Sequence, residues 1–287
     1  MRNFIEVQLH DGTSKPIYET GRYLLKVISF CSNTLVSVDV SGCFQTDDAT
    51  IAKLLKSCHK LQNLNIKNCR KLTDITLESI VSLRNPLDTL NIGGNFNMTP
   101  QGVQNFFLSY PHVHRLREMH VSGLMINDDI LVSVAAKCTG LTSFGLGYSD
   151  VSESGLSKLL SVLGPQFVKL NVSWLSTLHA QISTAFLLEV LATYCPRLIE
   201  LDVSGMKNFT SANLTQLLDT RIMQVSRLIA VLASTDHCLV NSSFRAIRRN
   251  GNLSKPFICA SYRLRRRCWR PRCVRCTLVC SSLADTD

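Results

Sequence analysis

Seven histidines and twelve cysteines are the side chains of this 287-residue chain best suited to nucleophilic, acid–base or metal chemistry. His112 and His114 flank Val113, His120 sits two residues from Glu118, and His59, His179 and His237 stand isolated in expected loops. No Ser/His/Asp or Cys/His set converges by spacing, so an enzyme is not expected. No glycine loop opens a helix as a phosphate cradle requires; Gly93-Gly94 belongs to a turn. The last segment is denser in thiols. Cys268-x4-Cys273-x2-Cys276-x3-Cys280, with Cys259 upstream, runs among Arg265, Arg266, Arg267, Arg270, Arg272 and Arg275. Zinc sites use C-x2-C pairs, but usually two of them across a longer loop, so Cys268, Cys273, Cys276 and Cys280 supply half of that pattern. The arginines would lower thiolate pKa values and attract phosphate, and Trp269 could stack on a base. Metal and nucleic-acid readings of the tail therefore stand beside a plainer one: a disordered tail, or a segment translated out of frame or from unspliced sequence. No cofactor is expected.

The elements that would position any site follow from a repeat. The spacing Leu-x-x-Leu-x-Leu, with conservative swaps, occurs seven times in succession: Leu35/Val38/Val40, Leu61/Leu64/Ile66, Leu87/Leu90/Ile92, Leu116/Met119/Val121, Leu141/Phe144/Leu146, Phe167/Leu170/Val172 and Leu198/Leu201/Val203. Alternation at the third and fifth offsets is a strand signal. After each strand comes an apolar triplet at i, i+3, i+4, the stripe of a short amphipathic helix, from Ile51/Leu54/Leu55 to Leu214/Leu217/Leu218. Four residues before each triplet stands a helix-capping side chain: Asp47, Thr73, Thr99, Asn127, Ser152, Ser183 and Thr210. Phe4/Val7/Leu9 with Leu24/Val27/Ile28 reads as an earlier repeat, and Leu228/Val231/Ala233 with Val240, Phe244 and Ile247 as a later one.

Charge divides the chain in two. Of the formal +10, residues 244–287 carry +9, with 11 Lys and Arg against Asp285 and Asp287. The body is close to neutral and gives no reason to expect nucleic acid there. No run of roughly 18 apolar residues is present, and the first ten residues lack the apolar stretch of a signal peptide. Body cysteines recur at fixed repeat positions, which favours reduced, buried thiols.

Leu35–Cys58 and Leu61–Leu83 resemble the leucine-rich repeat, specifically the cysteine-containing subtype of F-box/leucine-rich-repeat proteins. Cys43 and Cys69 fill the position after the strand where that subtype has Cys or Asn, and Asn95 fills it in the next repeat. Cys58, Cys138 and Cys195 match the helix-end cysteine. The resemblance implies an α/β right-handed solenoid of the ribonuclease-inhibitor-like kind, a curved horseshoe with a parallel sheet on the concave face and helices on the convex face. The solenoid is expected over residues 1–250, in about eight to nine repeats, with residues 251–287 as the Arg/Cys-rich tail. It also implies substrate recognition in an SCF-type (cullin) ubiquitin ligase, although nothing in the chain resembles an F-box; the alternative is a structural subunit of a cytoskeletal, ciliary or other assembly. A cytoplasmic location is expected, with the nucleus a second possibility. The expected contact surface is the outward ladder of the strands: Asp39, Asn65, Asn91, Glu118, His120, Lys169, Asn171, Glu200 and Asp202. Trp174 and Leu175 follow a strand directly and offer either an exposed anchor or filling for the wider loop of their repeat.

Overall fold

The computed structural model describes residues 4–9, 14–18, 30, 32–175, 182–206, 213, 227–230 and 258–259. The chain opens with an antiparallel pair, β1 (Phe4–Leu9) and β2 (Ser14–Tyr18). Strands and helices then alternate: β3 (Leu35–Asp39), α1 (Asp48–Ser57), β4 (Asn63–Asn65), α2 (Asp74–Val81), β5 (Thr89–Asn91), α3 (Pro100–Ser109) and β6 (Glu118–His120). They continue as α4 (Asp128–Lys137), β7 (Ser143–Gly145), α5 (Glu153–Leu163), β8 (Lys169–Asn171), α6 (Thr184–Tyr194) and β9 (Glu200–Asp202). Two further strands follow, β10 (Arg227–Ala230) and β11 (Ile258–Cys259).

One sheet holds them all, in the order β11-β10-β9-β8-β7-β6-β5-β4-β3-β1-β2. From β3 to β11 every neighbouring pair is parallel. The strands pair at a spacing of roughly 4.8 Å, whereas packed helices need about 8–10 Å, so the stack bends with the sheet on its inner side.

The repeat leucines form the core. Leu64, Leu90, Met119, Phe144, Leu170 and Leu201 face inward in register, and each is at most 2% exposed. The helix stripes meet them from the other layer: Ile51, Leu54 and Leu55 in α1, Val103, Phe106 and Phe107 in α3, Leu156, Leu159 and Leu160 in α5. Val81 and Ala135, expected in the same stripe, are only partly buried against it. Each fully buried aliphatic side chain contributes about 1.5–3 kcal/mol before entropy is counted.

Six of the seven expected caps accept a first-turn amide: Asp47, Thr73, Thr99, Asn127, Ser152 and Ser183. Thr210 lies outside the described residues. A second set of bonds ties four of these caps to the preceding coil. Asp48, the first residue of α1, accepts the Thr73 amide at 3.0 Å and hydroxyl at 2.8 Å. Asp74 does the same for Thr99, and Asp128 for Ser152. Glu153 takes the Ser183 amide at 2.8 Å. In α3 this first position is Pro100, which has no carboxylate to offer Asn127.

Behind the strands, buried polar atoms stitch the turns. Asn95 accepts the Cys69 amide at 2.7 Å and donates to the Ile66 and Ile92 carbonyls. The Cys69 thiol donates to Val40 O at 3.1 Å. Cys58, Cys138 and Cys195 close α1, α4 and α6, each donating its backbone N–H to the carbonyl four residues back. Burial pushes the thiols of Cys69, Cys138 and Cys195 up to about 12.

Two expectations about the ends of the array are corrected. Phe4/Val7/Leu9 is not a repeat strand, because β1 runs antiparallel to both β2 and β3, with Val7 opposite Val38. Residues 10–13 are too few for the crossover that a parallel pair needs, so a hairpin forms and covers the sheet edge. In β10 it is Leu228, not Val231, that stands opposite Leu201. Val225-x-x-Leu228-x-Ala230 satisfies the same spacing three residues earlier, and pattern alone could not choose between the two. The sheet also reaches Ile258–Cys259, past the boundary expected at residue 250. Leu24/Val27/Ile28, Leu214/Leu217/Leu218, and Val240, Phe244 and Ile247 lie outside the described residues.

Candidate functional site

Register places Asp39, Asn65, Asn91, His120, Gly145, Asn171 and Asp202 in one row on the outward sheet face. A second row holds Ser37, Asn63, Thr89, Glu118, Ser143, Lys169 and Glu200. All nine expected contact residues therefore share one surface. Much of their hydrogen-bonding capacity is spent within it. The Oδ1 atoms of Asp39, Asn65, Asn91, Asn171 and Asp202 each accept the amide two residues on, at 2.8–3.1 Å. These Asx turns steer the chain out of each strand. Across the row, Asn65 donates to Asp39 at 2.8 Å and Asn171 to Asp202 at 3.0 Å.

The centre differs from both ends. His120 and Gly145 lack an Asx oxygen, and a Cβ at Gly145 would stand 2.4 Å from His120 Nδ1. Glycine there makes room for the imidazole. Burial holds the His120 pKa below its ordinary value; Glu118 opposes this, while Lys67 and Lys169 add to it. In the second row Lys169 reaches toward Glu118 at 3.7 Å and Glu200 at 4.0 Å. Both pairs are solvent-exposed and energetically weak. The Glu118 pair spans the intervening β7, so Ser143 lies beneath it, 2% exposed and with no partner for its hydroxyl.

At the exit of the strands lies a feature that sequence inspection missed. Seven residues after each repeat's first apolar position the backbone turns left-handed: Gly42, Asn68, Gly94, Gly123, Tyr148, Trp174 and Gly205 all have φ between 57° and 78°. The cause is a second backbone ladder. The amides of Gly42, Asn68, Gly94, Gly123, Tyr148 and Trp174 each reach a carbonyl of the next coil at 2.7–2.9 Å. Glycine adopts this conformation freely, whereas another residue gives up roughly 1–2 kcal/mol. In two adjacent coils the residue is aromatic. Tyr148 and Trp174 are 48% and 42% exposed, with ring centroids 6.3 Å apart. Leu175, by contrast, is fully buried, so of that dipeptide only Trp174 is exposed. The missing signal was the comparison of offset seven across repeats, where glycine or asparagine stands in the other five. Phe96 and Met125 are also exposed on strand-exit loops, and the Arg70 guanidinium sits 5.0 Å over the Phe44 ring.

Among the described residues no group of three or more His, Cys, Asp or Glu is placed to hold a metal ion, and no helix is long and apolar enough to cross a membrane. Cys268, Cys273, Cys276 and Cys280 lie outside the described residues, as do His179 and His237. His59 lines an open groove of about 820 Å³ between the ends of α1 and α2, with Lys56 and Arg84.

No family model matches the chain. In sequence it is 24% identical over 155 residues to EEED8.10 of Caenorhabditis elegans, whose name proposes RNA binding for it. The match covers 52% of this chain and 20% of that protein, so the chain spans about a fifth of its length. In structure it is similar to the yeast Rad7 and Elc1 complex (TM-score 0.52, 17% identity), covering 67% of this chain and 56% of the other. A leucine-rich repeat-containing protein, LegL7 of Legionella pneumophila, gives a TM-score of 0.47 at 13% identity, covering 82% and 79%. The chain is an α/β leucine-rich-repeat solenoid.

Proposed function

We propose that this chain is a protein-interaction scaffold whose concave sheet face holds a partner, and that it serves as the substrate-recognition part of a cullin-type ubiquitin ligase. The observation that carries the scaffold reading is the open sheet face: two polar rows in register across seven coils, bounded by exposed aromatic side chains. Arrays of stacked coils use such extended surfaces to bind other chains. The ligase role draws on the resemblance of Leu35–Cys58 and Leu61–Leu83 to the cysteine-containing repeats of F-box proteins. It is compatible with the likeness to a structure in which Rad7 is found in complex with Elc1. The role needs no chemistry from the chain itself and is compatible with the cytoplasm or the nucleus. Nucleic acid is disfavoured as the body's partner because residues 1–243 carry a net charge of only +1.

Affinity capture of the tagged chain from cells, followed by crosslinking mass spectrometry, tests both levels. The ligase role requires cullin-ligase components in the capture. The scaffold reading requires crosslinks from a partner to residues beside the sheet face, such as Lys67 or Lys169; crosslinks confined to the helix layer would overturn it.

A further inference from the structure

We propose that Tyr148 and Trp174 form a seat for an arginine or lysine side chain of an extended peptide lying along the sheet face, with Asp150, Glu200 and Asp202 as its countercharge. The inference rests on the scaffold reading and specifies the chemistry of its partner.

Three observations carry it. The left-handed position is held by glycine or asparagine in five coils, yet two neighbouring coils place large rings there, side by side and about half exposed. A bulky residue in this conformation is an outlier of the kind that concentrates at binding sites. The Trp174 ring is also held. A Cβ on Gly205 would come within 2.2 Å of Trp174 Cδ2, so glycine in the following coil admits the indole against the backbone.

The second observation is charge. On β6–β9 and the loop after β7 stand four acids, Glu118, Asp150, Glu200 and Asp202, and one lysine, Lys169, which lies between Glu118 and Glu200; Lys67, on the loop after β4, is a second cation that bears on His120. Burial favours neutral His120. This quarter of the surface therefore repels a polyanion and attracts a cation. Aromatic faces attract arginine and lysine when the charge lies within about 6 Å of the ring centroid. The third observation is that the same side of the molecule already shows the arrangement once, in Arg70 over Phe44 at 5.0 Å.

The test selects a displayed library of random 12-residue peptides on the full chain, then measures one enriched peptide by fluorescence anisotropy. A consensus containing Arg or Lys is expected. Replacing that basic residue by Gln, or introducing Trp174→Gly or Tyr148→Gly, should weaken binding at least tenfold. Tyr148→Gly relieves the left-handed backbone, so its melting temperature should hold or rise while binding is lost. Glu200→Gln should weaken binding several-fold without touching either ring. No enrichment, a consensus without a basic residue, or unchanged affinity in both glycine variants would overturn the proposal. So would a decameric oligouridine that binds more tightly than the peptide through the same two rings. A capture lacking cullin components would count against the ligase role alone and leave this result standing.

Discussion

Asn95 shows how one side chain holds two coils together. It is fully buried, and its amide meets Cys69 N, Ile66 O and Ile92 O. Asn95→Ala would leave those three backbone groups without partners in a dry turn. The expected cost is about 2–4 kcal/mol, read as a lower urea midpoint with unchanged slope. Titratable residues make two further predictions at this scale. His120 has a depressed pKa in the folded chain, so the unfolded chain takes up its proton first as pH falls. The stability linked to neutral His120 is present above its ordinary pKa and is lost as pH drops through that value toward the folded one. His120→Gln should flatten the dependence of melting temperature on pH between about 7 and 5. Cys69, Cys138 and Cys195 behave in the opposite sense. Their folded pKa values are raised to about 12, so stability is complete below about 9 and declines as pH climbs from there toward 12. Below that window a thiol reagent should leave these three unmodified in the native protein and label them in urea; rapid native labelling would contradict their burial.

Helix caps were legible in the sequence because capping is local: a Ser, Thr, Asp or Asn oxygen reaches an amide two or three residues along its own chain. The carboxylates behind Thr73, Thr99 and Ser152 were not legible. Asp48, Asp74 and Asp128 look like ordinary first-turn acids that complement the helix dipole, yet each accepts an amide and a hydroxyl from the next coil. Asp74→Ala should therefore cost more than loss of a dipole interaction, about 1–2 kcal/mol, and should raise amide exchange at Thr99 and Gly102. The strand row repeats the lesson. Its Asn and Asp residues were read as partner contacts, and five of them also close the turn that ends their strand. Asn65→Ala should lower stability by about 1 kcal/mol, even before any partner is added.

In the whole molecule each coil is stabilised chiefly by its neighbours, so damage spreads along the stack. Leu64→Asp would place a carboxylate between coils where the native side chain is 1% exposed. Hydrogen exchange should rise across β3, β4 and β5 together, while β8 and β9 keep their protection; a uniform rise would mean that the stack unfolds as one unit. The sequence by itself determined the coil: inward leucines, outward polar residues and capped helices, because burial at period two and period 3.6 is written into each short segment. Tertiary structure decided what stands beside what. It ran β1 antiparallel against β3, set Leu228 opposite Leu201, put the His120 ring over Gly145 and brought Tyr148 next to Trp174. Those pairings join residues from different coils, and the coils differ in length. Their register is set by hydrogen bonds between neighbouring backbones, which no pattern within a single repeat contains.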